Sequence, residues 1–217
     1  MKTKRYVTYM LLALATALMF VLSGCGGLGS SQDFSGTWGY IGAPQKNNLF
    51  NNDFSDTFYV ITIEKKTEHT YTIDSKDYQY RTEGKSFLNR DAYVPVNPYM
   101  SYIISLPEGP DSKGVLPNIA INYKLMDVTG KNAPLTMTER DNVLYVDKNG
   151  LEYTYDSKND TLVSGSIVLQ RLKDGDITPL KEAVQKQIKD DYQKKYVDTN
   201  KWNITQYNFN DDVLTQK

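Results

Sequence analysis

One cysteine, one histidine and no surplus of basic residues narrow the chemistry of this 217-residue chain before any motif is sought. A single Cys excludes an internal disulfide framework, a Cys-rich zinc site and an iron–sulfur cluster. A single His, His69, argues against His-dependent catalysis and metal binding. The chain carries 25 Lys+Arg against 26 Asp+Glu, and its first 24 residues hold three of the bases (Lys2, Lys4, Arg5) and no acid. The remaining 193 residues therefore hold 22 basic and 26 acidic groups, a mildly acidic balance unsuited to neutralising a nucleic-acid backbone. No G-x-S-x-G elbow, phosphate-binding glycine loop or H-E-x-x-H helix occurs, and nothing implies a metal or a cofactor. The reading is of a protein that is not an enzyme.

What is present begins with an address. Met1 to Arg5 forms a positive head, and Tyr6 to Leu22 is an uncharged, mostly apolar run of 17 residues, the layout of an export signal. A membrane-spanning anchor is the competing reading, at the short limit of length. Leu22-Ser23-Gly24-Cys25 ends the run, and it resembles the lipobox of bacterial lipoproteins. That resemblance implies cleavage before Cys25, lipidation of its thiol, and attachment to the bacterial cell envelope. With Gly26 rather than Asp at the next position, it implies the outer membrane if the cell is Gram-negative. At about 0.8 kcal/mol per buried CH₂, one acyl chain holds marginally and two or more hold stably. Gly26 to Ser31 reads as a flexible tether.

From Asp33 to Lys173 short alternating runs separated by turn residues predict antiparallel sheet, with strands near 36–41, 57–64, 69–74, 78–83, 99–105, 118–126, 133–138, 142–147, 151–156 and 161–171. Asp147-Lys148-Asn149-Gly150 reads as a hairpin turn rather than a calcium loop. In the longest run Val163, Gly165, Ile167, Leu169 and Arg171 share a parity. No strand–helix alternation suggests a parallel α/β fold. One helix follows, with Thr178 as N-cap, Pro179 at its first position and an apolar stripe of Leu180, Val184, Ile188, Tyr192 and Tyr196. Trp202 to Phe209 reads as a short strand and the remainder as a polar tail. The expected organisation is a signal over 1–24, lipidated Cys and tether over 25–32, a β-barrel over 33–173, and helix, strand and tail over 174–217.

Phe34-Ser35-Gly36-Thr37-Trp38 resembles the F-x-G-x-W opening of the lipocalin and fatty-acid-binding-protein superfamily. In that superfamily a basic residue ending the last barrel strand packs over the Trp, and Arg171 stands at that place. The resemblance implies an antiparallel up-and-down meander closed into a barrel of 8–10 strands, with the C-terminal amphipathic helix packed on it and Gly36, Trp38 and Arg171 at the closure. Closure also removes exposed strand edges.

One reading of function leads, and a second stands as its alternative. In the first, the barrel captures a small, largely apolar ligand beneath the Gly42–Asp56 segment, with Phe50 and Phe54 as a lid and Tyr71 and Tyr80 among the candidate lining residues. In the second, the core is filled and the domain meets another envelope or host protein. Fifteen of the 17 Tyr lie after the signal, a load that serves a pocket, a core or a sticky surface equally well. His69 reads as a hydrogen-bonded structural residue on the strand that carries Tyr71 and Ile73. The pairs Asp190-Asp191 and Asp211-Asp212 read as solvated.

Overall fold

The computed structural model describes residues 32–42, 56–89, 92–95, 108–131, 133–147 and 150–215. The segments carrying Cys25, Phe50 and Phe54, and the strand expected over 99–105, lie outside the described residues. Among the described residues eleven strands are formed: β1 (Gly36–Ile41), β2 (Thr57–Lys65), β3 (Thr70–Phe87), β4 (Ala92–Pro95), β5 (Asn118–Asp127), β6 (Leu135–Arg140), β7 (Val143–Val146), β8 (Glu152–Asp156), β9 (Thr161–Ser164), β10 (Ile167–Arg171) and β11 (Asn203–Thr215). The helix α1 (Thr178–Tyr192) lies between β10 and β11.

Eight of these strands close on themselves. The order β3-β2-β1-β10-β9-β8-β7-β6 is completed by antiparallel pairing of β6 with the first residues of β3, so the fold is mainly β with a closed eight-stranded antiparallel barrel. The junction of first and last barrel strands sets Trp38 opposite Arg171. Hairpin chemistry is local: Asp141 and Asn142, at φ 52° and 63°, make the two-residue turn between β6 and β7.

The expected tenth run, 161–171, is two strands. Gly165 at φ 58° opens a two-residue turn, with Ser164 opposite Ile167. The shared parity therefore breaks there: Ile167 and Leu169 face the barrel core, whereas Leu162 rather than Val163 does so from β9.

The runs expected over 69–74 and 78–83 are instead one strand of 18 residues, and β3 is the spine of the molecule. Its first part pairs with β6 inside the barrel, and its continuation pairs with β5 over Tyr78–Phe87. There β4 and β11 complete an appended sheet. A register shift between Thr82 and Gly84 keeps Tyr80 and, beyond it, Phe87 in the same core although their numbers differ in parity. The final strand is not a short strand and tail. It runs for 13 residues and pairs with β5 in parallel.

Two cores result. Inside the barrel lie Phe34, Trp38, Ile61, Ile63, Tyr71, Met137, Leu144, Val146, Tyr153, Leu162 and Leu169. The second core lies between α1, the outer wall of β2 and the appended sheet, and contains Phe58, Val60, Tyr80, Ile121, Tyr123, Leu125, Val184, Ile188 and Trp202. β2 is thus apolar on both faces over its first half, which explains the unbroken run Phe58 to Ile61. α1 buries Leu180, Val184, Ile188 and Tyr192, the stripe its spacing predicts. Its N-cap is Ile177 rather than Thr178, and the Asp176 carboxylate accepts the Thr178 N–H at 2.9 Å. After Tyr192 the helix widens into one π-type turn, Gln193–Val197, and Tyr196 stacks on Trp202 with ring centroids 3.8 Å apart. Gly39 permits the helix to approach: a Cβ there would stand 2.5 Å from a methyl carbon of Leu180.

Candidate functional site

The barrel interior is the first place to look for a site, and it is occupied by side chains. Trp38, Phe34, Tyr71, Met137, Leu144, Leu162 and Leu169 are all fully buried within it. An eight-stranded barrel is just wide enough for its own side chains to fill. Phe34 stops one end, meeting Tyr71 and Tyr155 edge-on at 5.8 and 5.6 Å.

Over that plug lies the Arg171 guanidinium, its Cζ 4.1 Å from the Trp38 ring centroid. Arg171 Nε donates to both oxygens of Asp160 at 3.0 Å, Nη1 donates to the Ser35 carbonyl at 2.6 Å, and Nη2 donates to the Asp33 carbonyl at 3.2 Å. The Trp38 indole N–H donates to the Phe34 carbonyl at 3.1 Å. Gly36, at φ 127°, has no Cβ to crowd Nη1, which would lie 3.1 Å away. Gly36, Trp38 and Arg171 therefore form one constellation, which fixes residues 33–35 to the barrel.

At the opposite end Tyr40 and Tyr59 stack with centroids 4.6 Å apart, and Asp77 lies across from Tyr59 on the next strand. Burial, reinforced by Tyr59, pushes the Tyr40 hydroxyl up to about 12. Burial and the neighbouring Asp127 also raise the Asp77 carboxyl above the usual aspartate range. The β1–β2 connection expected as a lid falls outside the described residues.

Two hollows stand out among the described residues, and both are outside the barrel. The larger, about 480 Å³, is a groove between the outer wall of β1 and β10 and the start of α1, with Gly39, Ile41, Val168, Leu172, Leu180 and Ala183 among its lining. Its rim is polar, with Lys173, Asp174 and Asp176. The smaller is a surface hollow at His69 and Glu139. His69 lies in the turn before β3 rather than on it, exposed, with Nδ1 2.7 Å from Glu139 Oε2. That bond holds the Glu139 carboxyl below its ordinary range.

Tyr71 and Tyr80 do not share a site. Tyr71 is in the barrel core, and Tyr80 is in the second core on the other face of β3. The Tyr80 hydroxyl donates to Asp211 Oδ1 at 2.6 Å and accepts from Gln185 Nε2 at 2.8 Å, so one of the acids read as solvated instead ties β11 to the spine. Burial raises the Tyr80 hydroxyl well above its ordinary range.

Sequence reasoning did not anticipate the aromatic face of the second core. Phe209 stacks on Tyr123 at 4.9 Å and lies 6.4 Å from Tyr207 in a nearly parallel plane. Lys85 sits over the Trp202 ring at 4.9 Å, and Lys189 over Phe209 at 5.4 Å. The only signal for this assembly was the alternation of Tyr207 and Phe209 with polar residues.

Chemically, these arrangements offer packing, stacking and hydrogen bonding. No protein-family model, curated protein or solved structure matches this chain.

Proposed function

We propose that this chain is a lipid-anchored lipoprotein of the bacterial cell envelope, non-catalytic, whose domain is a filled-core β module that meets another protein. The observation that carries the second half is the interior of the barrel: the volume a captured ligand needs is taken by Trp38, Met137, Leu144, Leu162 and Leu169, each with no exposed surface. The anchor rests on the resemblance of Leu22-Ser23-Gly24-Cys25 to a lipobox. The clamp made by Arg171 supports a tethering role, because it fixes Asp33 and Ser35 to one pole of the barrel. Seven residues separate Cys25 from Asp33, so that pole stands within about 25–30 Å of the anchor at full extension of the chain.

Capture of a small apolar ligand is the second reading. It is supported by the groove between α1 and the barrel wall, whose volume of about 480 Å³ suits a small molecule and whose floor is apolar. Native mass spectrometry of the protein purified from its own host separates the two. The interaction-module reading expects the mass of the acylated chain with no reproducible additional small molecule, and a stoichiometric one would overturn it. Metabolic labelling with a fatty-acid analogue tests the anchor: the label and membrane association are expected in the parent and absent in Cys25→Ser.

A further inference from the structure

Closing the barrel removes the edges of its eight strands, but the appended sheet creates new ones. Among the described residues β11, a strand of 13 residues, pairs with β5 alone, so its other side has no strand partner; side chains reach its backbone at the far end, where Lys181 Nζ donates to the Asp211 carbonyl at 3.5 Å and the Asp212 N–H donates to Asn210 Oδ1 at 3.0 Å. Natural edge strands are normally defended by charges, prolines or bulges. β11 is defended at both ends and open in the middle. Its register is irregular between Ile204 and Gln206 and again between Asn210 and Leu214, where Asp211 and Asp212 add charge. Between these points Gln206–Asn210 pairs regularly with residues 120–124 and contains no charge, proline or bulge.

That open stretch, Gln-Tyr-Asn-Phe-Asn, is chemically symmetric about Asn208. Gln206, Asn208 and Asn210 are exposed on one face, and Tyr207 and Phe209 are half-buried on the other, their rings nearly parallel. An antiparallel copy centred on Asn208 sets Tyr207 against the copy's Phe209, Gln206 against its Asn210, and Asn208 against itself. Aromatic meets aromatic and amide meets amide, pairings that stabilise antiparallel strands. Asp211 and Asp212 fall opposite Thr205 and Ile204, so no like charges oppose. Moving the centre to Tyr207 would set Phe209 against Thr205 in the irregular stretch and lose this match.

We propose that Gln206–Asn210 is a homotypic docking edge, through which two copies of this chain join their appended sheets about a two-fold axis at Asn208. This inference rests on the reading of the domain as an interaction module and names its partner as a second copy. An isologous contact of this kind consumes both edges and closes as a dimer rather than growing into a fibre. The flanking irregularities confine pairing to one short register.

The test uses the full-length chain in its membrane, with single cysteines under mild oxidation and the parent as the control for Cys25. Asn208→Cys is expected to form a disulfide-linked homodimer, since the two positions face each other across the axis. Gln206→Cys and Asn210→Cys are each expected not to link to themselves, being roughly 13 Å from their own copies, beyond the roughly 7 Å reach of a disulfide. Mixed together, the latter two are expected to link. Asn208→Lys, which opposes two charges at the axis, is expected to weaken the detergent-solubilised dimer at least ~10-fold with an unchanged circular dichroism spectrum. An Asn208→Cys thiol that reacts with maleimide yet links to nothing overturns the proposal. Linking only to a different protein also overturns it while leaving the interaction-module reading in place. Indiscriminate self-linking at 206, 208 and 210 would show collision rather than a register and overturns it too.

Discussion

Arg171 lies over Trp38 with its Cζ 4.1 Å from the ring centroid, and the same guanidinium grips Asp160 and the carbonyls of Ser35 and Asp33. One side chain thus roofs the barrel core, pairs with the β8–β9 turn and binds the entering chain. Removing it forfeits a cation–π contact and charge-assisted bonds to carbonyls that then lose a partner. Arg171→Ala is expected to lower unfolding stability by about 2–4 kcal/mol in urea titration. Arg171→Lys is expected to recover less than about half of that, because an ammonium cannot stack and fork at once. Trp38 emission should shift to the red in both, and a Lys variant as stable as the parent would refute a geometric role for the guanidinium.

Gly39 sets how closely α1 sits on the barrel. With a Cβ only 2.5 Å from Leu180 Cδ1, Gly39→Ala must push the helix outward or distort β1. The expected loss is about 1–3 kcal/mol, the usual range for overpacking, read as a lowered midpoint of thermal unfolding. Leu180→Ala in the same chain should relieve part of the Gly39→Ala penalty, a coupling that two independent sites would lack.

Asp56 provides a pH signature. It is 8% exposed, and burial raises its carboxyl above the usual aspartate range despite bonds to its Oδ1 from Gln79 Nε2 at 3.0 Å and the Thr57 hydroxyl at 3.1 Å. The folded state therefore holds the Asp56 proton more tightly than the unfolded chain does. Its contribution favours folding at low pH and is lost as pH rises from the unfolded value, about 3.9, through the raised folded one. Asp56→Asn keeps an acceptor but cannot ionise. Relative to the parent it is expected to gain stability across that window and to keep a constant difference above it. Denaturation midpoints of the two proteins from about pH 3 to about pH 7 measure this; a difference that stays flat throughout would remove the burial argument.

The Tyr80–Asp211–Gln185 contact predicts coupling between the last strand and the spine. Tyr80→Phe and Asp211→Ala each delete the same 2.6 Å bond, so each should cost about 1 kcal/mol and the double variant little more than either. Additive losses would mean that the bond does not connect the two elements.

Much of the barrel was legible because its signals are local. The turn signal ending at Gly150, the Trp38 opening and the helix stripe from Leu180 to Tyr192 each occupy a few consecutive residues or turns of chain, whereas the two-residue turn at Gly165 was read as strand. The spine was not legible. Ser75-Lys76-Asp77 reads as a break between two runs because it is polar, yet it remains paired with β2. Its polarity has a different cause: here β3 has left β6 at Ile73 and has not yet met β5 at Tyr78, so its other side lacks a strand partner among the described residues. The parallel pairing of β11 was equally hidden, since it joins segments some 85 residues apart and leaves no local mark.

By itself, then, the amino-acid order determined the antiparallel character and the late helix, because residue spacing and turn chemistry act over short stretches, and its opening motif pointed to the meeting of Trp38 with Arg171. Tertiary structure alone decided that the interior is packed, that one strand serves two cores, and that Tyr71 and Tyr80 lie apart. Those outcomes depend on how side-chain volumes add up around a closed sheet and on which distant strand claims each backbone edge, quantities that exist only once the chain has come together.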